Sequence, residues 1–194
     1  RDRSVSRGLG DVYKRQTFLI VHKESSLFTY FKEVLNMNVF LLRMSIIKNL
    51  IFNFRYFGIR SEGKVRLGVG TRISNVGTLV FGNNFSITAD LSIICGKSIT
   101  FEDNVLISWG CQIMDTDLHK IFNIDTNQII NSPKEIYISE HCWICSGCKI
   151  LKGVRLASNI IVAADSTITK SILTNNVIVG FNNRILKEKV RWEV

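Results

Sequence analysis

Proline is almost missing from this chain, one residue in 194, and 13 glycines are too few and too scattered for a collagen-like or low-complexity polymer. Turns must therefore rest on Gly, Asn, Asp and Ser. Long uncharged apolar runs are missing too. The best candidate, residues 34–54, is broken by Arg43 and Lys48, short of the ~18 apolar residues a membrane-spanning helix requires. No short apolar run near the start ends in a small-residue cleavage site, so the reading is a cytoplasmic chain whose 5 cysteines are thiols. What is plentiful is apolar character, 46% against 21% charged residues, which excludes a wholly disordered chain.

The net charge of +9 invites a nucleic-acid partner. Its distribution argues otherwise, because residues 1–72 hold 14 basic and 5 acidic residues while residues 73–194 hold 11 of each. Residues 1–16 differ in composition from the rest and read as a non-native or disordered tail. Residues 17–60 form a basic segment with helical periodicity from 26 to 57, expected to cap a repeat domain and to give at most peripheral membrane contact.

Beyond residue 60 neither 3.6-residue nor simple two-residue periodicity fits. Ile138, Ile144, Ile150, Leu156, Val162 and Ile168 recur every six residues, and four places after each come Cys142, Cys148, Val154, Ile160, Ser166 and Ile172. The pattern also runs through Phe81, Ile87 and Ile93, then resumes two residues out of phase at Phe101, Ile107 and Ile113. Such a repeat predicts an all-β solenoid over residues 61–187, with a short tail at 188–194. The hexads lapse at 114–135, which predicts an extruded loop.

These hexads, with Asp115-Thr-Asp-Leu-His119, Trp143-Ile-Cys-Ser146 and Ile150-Leu-Lys-Gly-Val154, resemble the hexapeptide-repeat acyltransferases, among them sugar and polysaccharide O-acetyltransferases. The resemblance implies a left-handed parallel β-helix with three hexads per turn and a homotrimer. It implies transfer of an acetyl group from acetyl-CoA to a sugar or glycan-precursor hydroxyl. His119 takes the place of the general base, with Asp115 and Asp117 as candidates to orient it; imidazole suits the task because its pKa lies near working pH. Ser146, Ala164, Thr169, Lys170, Arg184 and Lys187 match positions that contact the coenzyme A donor.

The sequence departs from that family where glycine is usual, at Cys145, Ala157, Ala163 and Asp165. Loss of these glycines favours the alternative of a non-catalytic β-helix assembly subunit. Cys142, Cys145 and Cys148 read as CxxCxxC but fall at different hexad positions, so no metal is expected, and three histidines do not make the ligand pattern of a metal-dependent hydratase on this fold.

Overall fold

A computed structural model describes residues 17–20 and 58–193. After β1 (Thr17–Ile20), the chain winds through coils of three short strands each. The first coil is β2 (Ile59–Ser61), β3 (Val65–Arg66) and β4 (Arg72–Asn75); the second is β5 (Thr78–Phe81), β6 (Phe85–Ile87) and β7 (Ser92–Cys95). The third is β8 (Ser98–Phe101), β9 (Leu106–Ile107) and β10 (Gln112–Met114), and the fourth is β11 (Ile136–Ile138), β12 (Trp143–Ile144) and β13 (Lys149–Leu151). The fifth is β14 (Arg155–Leu156), β15 (Ile161–Val162) and β16 (Thr167–Ile168). A partial sixth adds a bridge from Ile172 to Leu156 and then β17 (Val177–Val179).

From β2 to β13 each strand pairs in parallel with the strand three further on, which makes a three-sided solenoid. Face A carries β4, β7, β10, β13 and β16; face B carries β2, β5, β8, β11 and β14; face C carries β3, β6, β9, β12, β15 and β17.

The hexad residues fill its interior. On face A, Ile73, Ile93, Ile113, Ile150 and Ile168 stand in register, one per coil, and all are buried. Neighbouring residues in each strand point outward, as strand alternation requires. Each such isoleucine contributes about 1.5–3 kcal/mol through burial. The sixfold period is thus one side of the prism.

Corners explain the rest of the pattern. Asn84, Asn104, Asn159 and Asn176 occupy the B–C corner coil after coil with φ of 56°, 58°, 60° and 60°, and His141 takes the same place in the fourth coil with φ 53°. Asparagine tolerates this left-handed conformation better than other side-chain-bearing residues. Asn84 Nδ2 donates to Asn104 Oδ1 at 3.0 Å, and His141 Nδ1 lies 2.8 Å from Asn159 Oδ1. The two-residue phase change between Ile93 and Phe101 is a longer A–B corner. Ile73, Ile93 and Ile113 are twenty residues apart, whereas Ile150 and Ile168 are eighteen apart.

The solenoid begins at Ile59, two residues before the expected boundary, and Thr17–Ile20 is a strand pairing antiparallel with β4 on face A. The expected tail and helical cap, at 1–16 and 26–57, lie outside the described residues. At the C-terminus β18 (Ile185–Glu188) pairs antiparallel with β17, and the short tail follows it. Trp192 then docks, buried, with its indole 4.5 Å from the His141 ring and its Nε1 donating to the His141 carbonyl at 2.9 Å. No helix among the described residues is long and apolar enough to cross a membrane.

Candidate active site

The A–B corner of the third coil is where the solenoid opens. Chain leaving β10 at Met114 does not return to face B until Ile136, so the expected loop stands at this corner. Its first residue is Asp115, fully buried at 0% exposure. Inward alternation through Cys111 and Ile113 carries its side chain into the corner. There Oδ1 accepts the Gly96 amide at 2.5 Å, and Oδ2 accepts those of Lys97 and Ser98 at 2.8 and 2.7 Å. These amides belong to the longer corner of the second coil. Asp115 therefore braces a corner, and among the described residues no hydrogen bond joins it to His119.

Asp117 points the other way and is exposed. Its Oδ2 forms an ion pair with Lys152 Nζ from the fourth-coil corner and accepts Asn131 Nδ2 at 2.9 Å. The hydrogen bonds from Lys152 and Asn131 hold its carboxyl below the usual carboxylate range. It too makes no bond to the His119 ring. It tethers the loop.

His119 is exposed on that tethered loop. Its amide donates to the Asp117 carbonyl at 2.7 Å across Leu118, whose φ is 64°. Its carbonyl accepts Asn131 Nδ2 at 2.7 Å, and the Ile121 amide donates to Asn131 Oδ1 at 2.7 Å. Beyond it, residues 121–130 fold into a small hairpin with a bridge between Phe122 and Ile129. Asn123 Oδ1 accepts the amides of Asp125 and Thr126 at the hairpin turn, both at 2.9 Å. No hydrogen bond or ion pair to the His119 imidazole is present among the described residues, so only the backbone places it.

Two contributors escaped the sequence reading. Asn131 stands in an irregular stretch with no pattern to mark it. Lys152 does lie in the Ile150-Leu-Lys-Gly-Val154 segment quoted for the family resemblance, but spacing alone did not connect it with a loop 35 residues earlier.

The residues matched to donor contacts do not form one cluster within the chain. Ser146 and Ala164 lie on the C–A corner in successive coils, linked by the Asp165 amide donating to the Ser146 carbonyl at 2.9 Å. Thr169 and Lys170 lie at the A–B corner of the fifth coil, where both amides donate to Asn183 Oδ1 at 2.7 and 3.0 Å. Their backbone donors are thus already used, leaving the exposed Lys170 side chain. Arg184 and Lys187 are exposed cations beyond the last coil.

Asp165, the acidic departure from the family pattern, has φ 56° and its carboxyl over Gly147, where an added Cβ would come within 2.0 Å of Oδ1. It is a corner residue of the same kind as Asp90, φ 52°, two coils before Gly147's. Gly147 supplies the space that lets it lie back along the wall.

Four of the cysteines are interior and Cys145 is half-buried. Cys142 and Cys148 donate to the carbonyls of Ala157 and Ala163, each at 3.1 Å. Cys111 is 2% exposed, and its hydrogen bond with Cys148 together with burial pushes its thiol up. Burial, with Asp115 alongside, raises the Cys95 thiol to about 12. Among the described residues no group of three His, Cys, Asp or Glu is placed to hold a metal ion.

No protein-family model matches the chain. A galactoside O-acetyltransferase from Lactococcus lactis is 30% identical over 112 residues, 57% of this chain and 51% of that protein. The chain thus spans about half the length of that curated relative. Among solved structures, a polysialic acid-specific acetyltransferase superposes with a TM-score of 0.59 at 22% identity, covering 70% of this chain and 68% of that one. A hexapeptide-repeat acetyltransferase from Vibrio cholerae, solved with acetyl coenzyme A, gives 0.58 at 22% identity, covering 70% and 73%. In sequence and in its three-sided parallel β-solenoid, this chain resembles the hexapeptide-repeat acetyltransferases, and those of sugars and polysaccharides among them.

Proposed function

We propose that this protein is a CoA-dependent acyltransferase that moves an acetyl group from a thioester to a hydroxyl of a sugar or glycan precursor, with His119 as general base. One observation carries the reading: an exposed histidine stands on a loop held from both sides, at the corner where the solenoid opens. His119 takes the acceptor's proton as its oxygen attacks the thioester carbonyl, and gives the proton up as the thiol leaves. Asp117 contributes through the loop backbone, and Asp115 through the corner beneath it. Backbone amides near the thioester stabilise the negative charge that develops on its carbonyl oxygen.

The donor is assigned to Ser146, Ala164, Thr169, Lys170, Arg184 and Lys187. Ala164 presents only a methyl group at the C–A corner, and Lys170, Arg184 and Lys187 are suited to phosphates. These residues lie at two different corners of one chain and beyond its last coil, so a groove that uses them all is built between copies. A homotrimer in the cytoplasm, with five reduced thiols, completes the proposal. Peripheral membrane contact by the basic N-terminal segment is secondary.

The test is acetyl-CoA cleavage measured against a panel of sugars and amines, with light scattering at micromolar concentration. Sugar-dependent thiol release by a trimer is the expected result. A folded protein that releases no thiol with any acceptor supports the assembly subunit, and a fully active monomer overturns the shared groove.

A further inference from the structure

The turn that carries His119 is strained. Leu118 has φ 64°, a conformation unfavourable for a branched side chain. The His119 amide closes onto the Asp117 carbonyl at 2.7 Å across it, a γ-turn of the rare hand. Such a turn persists only where its surroundings hold it shut.

Asn131 supplies that hold. Its single amide group reaches three alternate residues across the loop: Nδ2 donates to Asp117 Oδ2 at 2.9 Å and to the His119 carbonyl at 2.7 Å, while Oδ1 accepts the Ile121 amide at 2.7 Å. Two of these bonds span the strained turn from either end. Lys152 then anchors the assembly to the fourth coil through Asp117 Oδ2 and the Asn131 carbonyl, the latter at 3.3 Å.

We propose that Asn131 is the positioning residue of the reaction: it closes the Leu118 turn and thereby fixes where the His119 imidazole meets the acceptor hydroxyl. This rests on His119 being the base. Because the imidazole makes no bond of its own, a backbone displacement moves it directly, and a misplacement near 1 Å costs about a hundredfold in rate. The hairpin beyond it has closing bonds of its own, from Asn123 and from the Ile130 amide to the Ile121 carbonyl at 2.9 Å.

The experiment is a double-mutant cycle on acetyl transfer in the full chain. Asn131→Ala is expected to lower kcat tenfold to a hundredfold with the donor KM changed less than twofold. Asn131→Asp, which keeps the shape and the acceptor for Ile121 but removes both donors, is expected to do the same with an unchanged unfolding midpoint. Neither is expected to lower the residual rate further when His119 is already alanine, because the clamp acts only through the base. Retention of more than half of kcat by both variants overturns the proposal, as does an equal loss in the His119→Ala background. If His119→Ala alone keeps its rate, the base assignment has failed, and the clamp falls with it.

Discussion

Asp115 and Asp117 are two residues apart, have the same side chain, and do opposite work. The first belongs to the solenoid wall: it is buried and spends its oxygens on three amides of the previous corner. The second belongs to the loop: it is exposed and binds a lysine and an asparagine. The wall is specified by repetition, in which any coil restates its neighbour. The loop is specified by a few unrepeated polar contacts, and its stability is correspondingly local.

Breaking the wall should have the largest effect. Asp115→Ala leaves the amides of Gly96, Lys97 and Ser98 without their acceptor in a part-buried corner, at about 1–3 kcal/mol for each group left unsatisfied. We expect a total of about 3–5 kcal/mol, read as a lowered urea midpoint, with activity lost only through unfolding. An Asp115→Ala protein of parental stability, inactive all the same, would return Asp115 to the chemistry.

Breaking the loop's anchor should do less. In Lys152→Met, proteolysis between residues 117 and 131 is expected to quicken severalfold while the urea midpoint of the solenoid stays put. The pH dependence has a definite sign. Because Lys152 and Asn131 depress the Asp117 carboxyl, the tether is fully present above the ordinary carboxylate value, about 3.9, and is lost as pH falls through the lower value in the folded chain. Carboxyl NMR should place Asp117 nearer the ordinary value in the Lys152 variant; an unmoved titration would mean the ion pair is not made in solution.

The smallest effect is expected at His141, the histidine that belongs to the wall. His141→Asn restores the residue of the corner ladder and loses the stack on Trp192, for a net change below about 1.5 kcal/mol and no change in transfer rate. A large rate loss there would mean that the wrong histidine has been assigned.

This contrast also decides what the sequence could reveal. Ile138 through Ile168 announced the wall because each coil presents the same requirement. The asparagines of the B–C corner fit the expectation that turns must be made without proline. The inward place of Asp115 was legible in the alternation Cys111, Ile113, Asp115, although its nearness to His119 suggested another role. Asn131 was not legible, since a clamp across a hairpin depends on how the loop folds back, which no period encodes. That Ser146 and Ala164 lie at one corner and Thr169 and Lys170 at another was likewise hidden, because the resemblance matched them by position in the sequence alone.

The central claim is that the exposed histidine of the loop is the base, and His119→Ala tests it most directly. The account predicts an acetyl-transfer rate lowered roughly a hundredfold to ten-thousandfold, with acetyl-CoA affinity, trimer mass and urea midpoint unchanged. A variant that keeps more than half of the parental rate, or one that loses activity only by unfolding, would contradict it.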